Sequence, residues 1–184
     1  MAKLILGIAG EMGSGKEAVT MHLSDVYGAS SHNFSQILKD ILERLYLPIT
    51  RENFSPLSLA LRKTFGEDIL AKAMFQDAVN DKTDIIVVQG IRRQEDMAFL
   101  REFANFKFLY VDVDMETRFE RIKKRKEKEN DSSMTFEEFK ASHEYETEKT
   151  ILGLKDDADY IIKNNGTYAE LYAQIDRVIV ENLK

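Results

Sequence analysis

The sequence contains no cysteine, which excludes disulfides and thiolate chemistry and fits a reducing compartment. Histidine is almost as scarce. His22, His32 and His143 are the only three, and they are scattered without metal-ligand spacing. No apolar run approaches the roughly 20 residues that span a bilayer. Met1-Ala-Lys leads at once into a strand-like stretch, so no signal peptide is expected. Positive charge is in deficit, with 26 Lys and Arg against 32 Asp and Glu and a net charge of −6. A chain of that sign is not, as a whole molecule, an electrostatic partner for nucleic acid or an anionic membrane. Repeats and low-complexity linkers are absent. At 184 residues with 43% hydrophobic content, one domain with a sizeable core is expected. The expectation is a cytoplasmic protein, monomer or homodimer, acting on a small molecule.

What is present is concentrated near the start. Lys3-Leu-Ile-Leu-Gly-Ile-Ala9 reads as a buried strand, followed by Gly10-Glu-Met-Gly-Ser-Gly-Lys16. A helical pattern then places Ala18, Val19, Leu23 and Val26 on one face. Strand, glycine-rich loop and helix in that order form the context of a phosphate-binding P-loop. Glycines let the backbone curl so that its amides point inward as a nest for phosphate oxygens. The helix start adds unpaired N–H groups and the positive dipole end, and Lys16 adds a full charge. The residue after the lysine is normally Ser or Thr, whose hydroxyl ligates magnesium. Here it is Glu17, with Ala18 next.

Further along, Gly28 to Phe34 reads as a short strand. Helices are expected from Ser35, around Leu57 to Phe65, from Ile69 to Ala78, and around Glu95–Phe103. Ile85-Ile-Val-Val88 and Phe106 to Val113 read as buried parallel strands, and Ala158 to Ile162 as the last strand. Thr135-x-x-Glu138 and Thr167-x-x-Glu170 are capping boxes that open helices. Five strands alternating with helices predict a three-layer α/β fold with a mainly parallel sheet. Ligands sit at the carboxyl ends of such strands. Gly10, Phe34, Gln89, Asp112 and Asn164 lie at those ends and are expected to converge on one cleft.

Phosphoryl transfer relies on cations placed around developing negative charge, and arginine clamps phosphate with a planar fork. Arg92 and Arg93 follow a buried strand at its ligand end. Arg121 and Arg125 are spaced i, i+4 on one helix face, before a polar segment. Arg44, Arg51 and Arg62 flank the helical stretch after the second strand. The lysines of the basic run Arg118–Lys128 read as a solvated helix end.

On the P-loop, Thr50-Arg-Glu-Asn53, Leu61-Arg-Lys-Thr-Phe-Gly66, Gly90-Ile-Arg92, Arg118-x-x-x-Arg-Ile-x-x-Arg125, Ala158-Asp-Tyr-Ile-Ile162 and Asn164-Asn-Gly166, the chain resembles the P-loop nucleoside monophosphate kinase group. It is most similar there to small adenylate kinase-like and dephospho-coenzyme A kinase-like proteins of archaea and some bacteria. The resemblance implies a P-loop NTPase fold with sheet order 2-3-1-4-5, an acceptor-binding helical insertion over about 35–80 and a lid over about 127–134. It implies ATP, with magnesium, as cofactor. Glu11, Met12, Gly13, Ser14, Gly15, Lys16, Glu17 and Ala18 would surround its phosphates. Arg121 and Arg125 match the paired arginines before the lid, and Asn165, Gly166 and Thr167 match the loop bordering the adenine. Arg62 and one of Arg92 or Arg93 match arginines that clamp the acceptor phosphate, and Ser35 lies where acceptor contacts begin. Lys16, Arg92, Arg93 and Arg125 are the catalytic candidates.

The chain departs from that pattern at the metal. An aspartate normally follows the strand ending at Val88, and here it is Gln89, which brings no charge. Glu17 or Asp112 could supply the missing carboxylate. The leading expectation is ATP-dependent phosphoryl transfer to a nucleotide-like phosphate acceptor, a nucleoside monophosphate or dephospho-coenzyme A. The alternative is a non-catalytic nucleotide-binding protein with a degenerate magnesium site. An interaction protein using the basic helix is a third reading, opposed by the net acidity.

Overall fold

A computed structural model describes residues 2–125, 134–143 and 146–183. In chain order, β1 (Leu4–Ala9) leads to α1 (Lys16–Tyr27), β2 (Ser30–Asn33), α2 (Phe34–Arg44), α3 (Arg51–Phe65), α4 (Ile69–Asn80) and β3 (Ile85–Gln89). Two short 3-10 turns, Gln94–Met97 and Leu100–Glu102, precede β4 (Phe106–Asp112) and α5 (Met115–Arg125). After them come α6 (Phe136–Ser142), α7 (Glu146–Gly153), a 3-10 turn at Leu154–Asp157, β5 (Tyr160–Lys163) and α8 (Tyr168–Asn182).

All five strands are parallel, in the order β2-β3-β1-β4-β5. Strand side chains alternate between the two faces of such a sheet, and both faces are covered. Ile5, Ile86, Val88, Phe106, Phe108 and Tyr110 point to the side of α2 and α4, against Leu38, Leu70 and Met74. Leu4, Leu6, Ile8, Val87, Leu109 and Val111 point to the other side, against Val19 and Leu23 of α1 and Leu171, Ile175 and Ile179 of α8. Each fully buried Leu, Ile or Phe contributes about 1.5–3 kcal/mol of hydrophobic stabilisation. Helices on both faces of a parallel sheet are the three-layer arrangement expected from the strand and helix alternation.

Three local expectations need correction. Val26 is 59% exposed; its neighbour Tyr27 takes the buried side of α1 and donates to Asp176 Oδ1 at 2.8 Å. The single helix expected around Glu95–Phe103 is two 3-10 turns. Met97 and Leu100, at the facing ends of the two turns, are fully buried, with Phe103 packed against the same core. The buried carboxylate of Asp96 then accepts the Arg92 and Arg93 N–H groups at 3.0 and 3.2 Å and tightens the first turn. Helix α7 falls in a stretch read from sequence only as acidic and polar.

The edge strand β2 is tied down by the turn after α4. Asp81 accepts from the Thr83 N–H and hydroxyl, both at 2.8 Å, and lies 2.7 Å from His32 Nε2. Burial alone would raise the Asp81 pKa. Hydrogen bonds from Ser30, Thr83 and His32 outweigh it and hold the carboxyl well below its ordinary 3.8. A depressed folded-state pKa contributes stability above the unfolded value and loses it as pH falls through the folded one. The urea midpoint should therefore drop on acidification below about pH 4, and Asp81→Asn should be less stable at neutral pH and flatter in acid. An identical acid slope in parent and variant would count against this anchor.

Candidate functional site

The loop Gly10–Lys16 joins β1 to α1 at the carboxyl edge of the sheet, as its sequence context requires. Gly15, at the start of α1, has φ +92°, and a Cβ there would lie 2.5 Å from Asn164 Nδ2. Only glycine suits both the left-handed backbone and that close approach. Lys16 folds back over the loop, donating from Nζ to Gly10 O at 2.6 Å and Glu11 O at 3.0 Å. Ser14 is buried and its N–H donates to Glu11 O at 3.2 Å. Glu17 is exposed in the first turn of α1, where a negative charge complements the helix dipole.

The far wall comes from β5 and α5. Asn164, just past β5, is 4% exposed. Its Nδ2 donates to Ser14 O at 2.8 Å, and its own carbonyl accepts from Arg121 Nη2 at 2.8 Å. Arg121 Nη1 is buried with no hydrogen-bond partner, and it lies 3.9 Å from the position of a Cβ on Gly15. A buried, unsatisfied guanidinium nitrogen at a phosphate loop is a donor awaiting an acceptor. The sequence places Asn164 at a strand end facing the cleft without giving it a role. The Asn164-Asn-Gly166 turn was in view, but only the packed structure distinguishes its buried member. Asn165 accepts the Asp114 N–H at 2.9 Å, and Thr167 caps α8 through its box with Glu170. The chain end of α5 is Arg125, whose side chain lies outside the described residues, as does the expected lid apart from Met134.

A second cationic group sits beyond β3. Gly90 has φ +80° and a Cβ on it would lie 2.7 Å from Asn33 Oδ1, so the chain turns sharply against the start of α2. Arg93 is then placed 3.6 Å from both Glu67 Oε2 and Asp96 Oδ1. Arg62 of α3 is near enough to feel its charge. Its guanidinium pKa is lowered, first by burial and then by the positive charge of Arg93, with Asp96, Glu67 and Glu95 opposing. The Nε atoms of both Arg62 and Arg93 are buried without hydrogen-bond partners. Arg92 is exposed, with its N–H on Asp96. Ser35 donates its hydroxyl to Asn33 Oδ1 at 2.9 Å within the cap of α2.

Of the two sequence candidates for the metal, Glu17 is exposed at the start of α1 and Asp112 is paired. Asp112 gives one oxygen to Lys155 at 2.9 Å and the other to Lys163. Burial would raise its pKa, but hydrogen bonds from Lys163 and Lys155, with their charges, hold it below the usual carboxylate range. That carboxylate is paired with two lysines. Gln89 donates its amide to Ser31 Oγ at 2.9 Å. Among the described residues no group of three or more His, Cys, Asp or Glu is arranged to hold a metal ion.

An AAA-domain family profile matches residues 6–151. A UPF0200 protein of Staphylothermus marinus is 30% identical over 94% of this chain and 89% of its own length. The chain belongs to the AAA-domain family and to the UPF0200 family. Another UPF0200 protein, from Methanocaldococcus jannaschii, is 26% identical over 98% of this chain and 91% of that one. Among solved structures, a shikimate kinase from Bacteroides thetaiotaomicron superposes with TM-score 0.62 at 14% identity, covering 97% of this chain and 98% of that chain. A gluconokinase from Sinorhizobium meliloti gives 0.60, also at 14% identity, over 97% and 95%. These likenesses show the fold of this UPF0200 chain: a P-loop kinase-like fold. No helix among the described residues is long and apolar enough to cross a membrane.

Proposed function

We propose that the protein is a P-loop kinase that transfers a phosphoryl group from ATP to a small phosphate-bearing, nucleotide-like acceptor. The observation that carries this reading is the pairing of two cationic sites at one edge of the sheet. One is the loop with Lys16 and the unsatisfied Arg121 nitrogen. The other is the Arg62 and Arg93 pair, two like charges held together with unsatisfied buried nitrogens. Glu67 and Asp96 offset part of this charge, and an acceptor phosphate would complete it.

In this reading the loop N–H groups and Lys16 hold the outer phosphates of ATP, with Arg121 beside them. Arg62 and Arg93 hold the acceptor's phosphate and aim its free oxygen at the transferred group, with Arg92 at the mouth of the same turn. Lys16 leaves the Gly10 and Glu11 carbonyls and moves to the phosphate oxygens, where it offsets the charge that develops during transfer. Residues 35–80 form the acceptor insertion. Of the expected metal ligands, Glu17 is the carboxylate that stands open at the loop, and magnesium bound there with ATP would neutralise phosphate charge. Nucleoside monophosphates and dephospho-coenzyme A are the acceptors that fit the family resemblance.

The test is a coupled transfer assay over a panel of nucleoside monophosphates and dephospho-coenzyme A, with thermal shifts recorded with and without magnesium. Turnover with one class of acceptor is expected, together with stabilisation by ATP. A second reading, a nucleotide-binding protein without catalysis, is favoured by the Gln89 amide turned to Ser31. It predicts ATP binding indifferent to magnesium, no turnover, and activity raised by Gln89→Asp with Glu17→Thr.

A further inference from the structure

The loop carries a carboxylate of its own. Glu11 is the second residue of a cradle built to receive phosphate, and an unopposed negative charge there would repel the ligand. Its side chain is turned away from the cradle and into the protein, where Arg118 Nη2 pairs with Glu11 Oε1 at 3.0 Å. The Arg118 side chain is buried and that of Glu11 largely so, 3% and 12% exposed. Arg118 spends its remaining donors around the same loop. Nε donates to Val113 O at 3.1 Å, and Nη1 to Met12 O at 3.4 Å and to His143 Nε2 at 2.5 Å.

A guanidinium can only donate, so His143 Nε2 is the acceptor and Nδ1 carries the hydrogen that reaches Phe139 O at 2.8 Å. The histidine thereby ties α6 to the underside of the loop. The backbone agrees. At Gly13, φ is +81° and a Cβ would lie 2.9 Å from Arg118 O, so the loop rests directly on α5. Meanwhile the Glu11 carbonyl faces the other way, accepting from Lys16 and from the Ser14 N–H.

We propose that Arg118 and Glu11 are positioning residues of the phosphate loop. Arg118 cancels the Glu11 charge and fixes the loop's inward-facing backbone, so that the net field at the cradle stays positive. This rests on the reading of the loop as a phosphate cradle. It makes a prediction that an ordinary structural ion pair does not. Breaking the pair from its two ends should move phosphate affinity in opposite directions. Arg118→Met leaves a carboxylate uncompensated near the phosphates, whereas Glu11→Gln leaves a guanidinium.

Titration calorimetry with ATP, and separately with inorganic tripolyphosphate, measures this on the full chain. Arg118→Met should weaken binding by about tenfold or more, and Glu11→Gln should tighten it by about threefold. The double variant, with neither charge, should return to within about threefold of the parent. Comparable weakening by both single variants would overturn the proposal, as would an Arg118→Met affinity within about twofold of the parent. Should Arg118→Met not fold, Glu11→Gln and the double variant decide alone: weaker binding in both overturns the proposal. Opposite shifts with tripolyphosphate but no ATP binding would uphold it and reject the kinase reading. Kinase turnover with both single variants weakened alike would do the reverse.

Discussion

Replacing Lys16 with methionine should lower phosphoryl transfer by about a thousandfold while leaving the fold intact. The expectation follows from where Lys16 spends its charge. In the structure its ammonium rests on two loop carbonyls, Gly10 O and Glu11 O, and those carbonyls can be satisfied by water when the ammonium leaves. Its large effect lies in the reaction. A full positive charge aimed at oxygens that gain negative charge in the transition state is typically worth a factor of about 10²–10³, or about 3–4 kcal/mol. Lys16→Met should therefore melt within a few degrees of the parent. Its steady-state rate should fall far more than its acceptor KM rises. Transfer within about tenfold of the parent would remove Lys16 from the site.

The second large effect concerns the proposed acceptor clamp, and it should appear with opposite signs in stability and activity. Arg62 and Arg93 are like charges whose mutual repulsion, added to burial, lowers the Arg62 pKa, and each keeps a buried Nε without a hydrogen-bond partner. Glu67, Asp96 and Glu95 offset only part of that repulsion in the empty protein, and an acceptor phosphate would offset the rest. Arg62→Leu should unfold at the same temperature as the parent or higher. It should lose about a hundredfold in kcat/KM for the acceptor and change its ATP affinity little. Inorganic phosphate at millimolar concentration should stabilise the parent and not the variant, since only the parent binds it in the folded state. A variant that is both less stable and fully active would show the arginines to be a surface pair with no acceptor to hold.

The phosphate loop was legible because everything that defines it is local. A buried strand, a loop with three glycines and a lysine, and a helix start lie within sixteen residues, and each element states its own conformation. The alternation of strands and helices was legible for the same reason, through periods of two and 3.6. The 3-10 turns after β3 were not, because Met97, Leu100 and Phe103 also lie on one stripe of an α-helix, and the choice fell to the buried Asp96 carboxylate. Asp112 shows the limit most plainly. As a strand-end aspartate it reads as a metal ligand, yet lysines 43 and 51 residues away pair with it.

By itself, the sequence determined that this protein builds a parallel sheet with a phosphate cradle at its first turn, and that the customary hydroxyl and aspartate for magnesium are replaced by Glu17 and Gln89. Tertiary structure alone decided which charges meet. It set Arg62 against Arg93, buried Asn164 against Ser14, and turned Glu11 under the loop onto Arg118, 107 positions further along the chain. The physical reason is that backbone conformation follows from neighbours a few residues apart, whereas the field at a site is a sum over groups that only folding brings together.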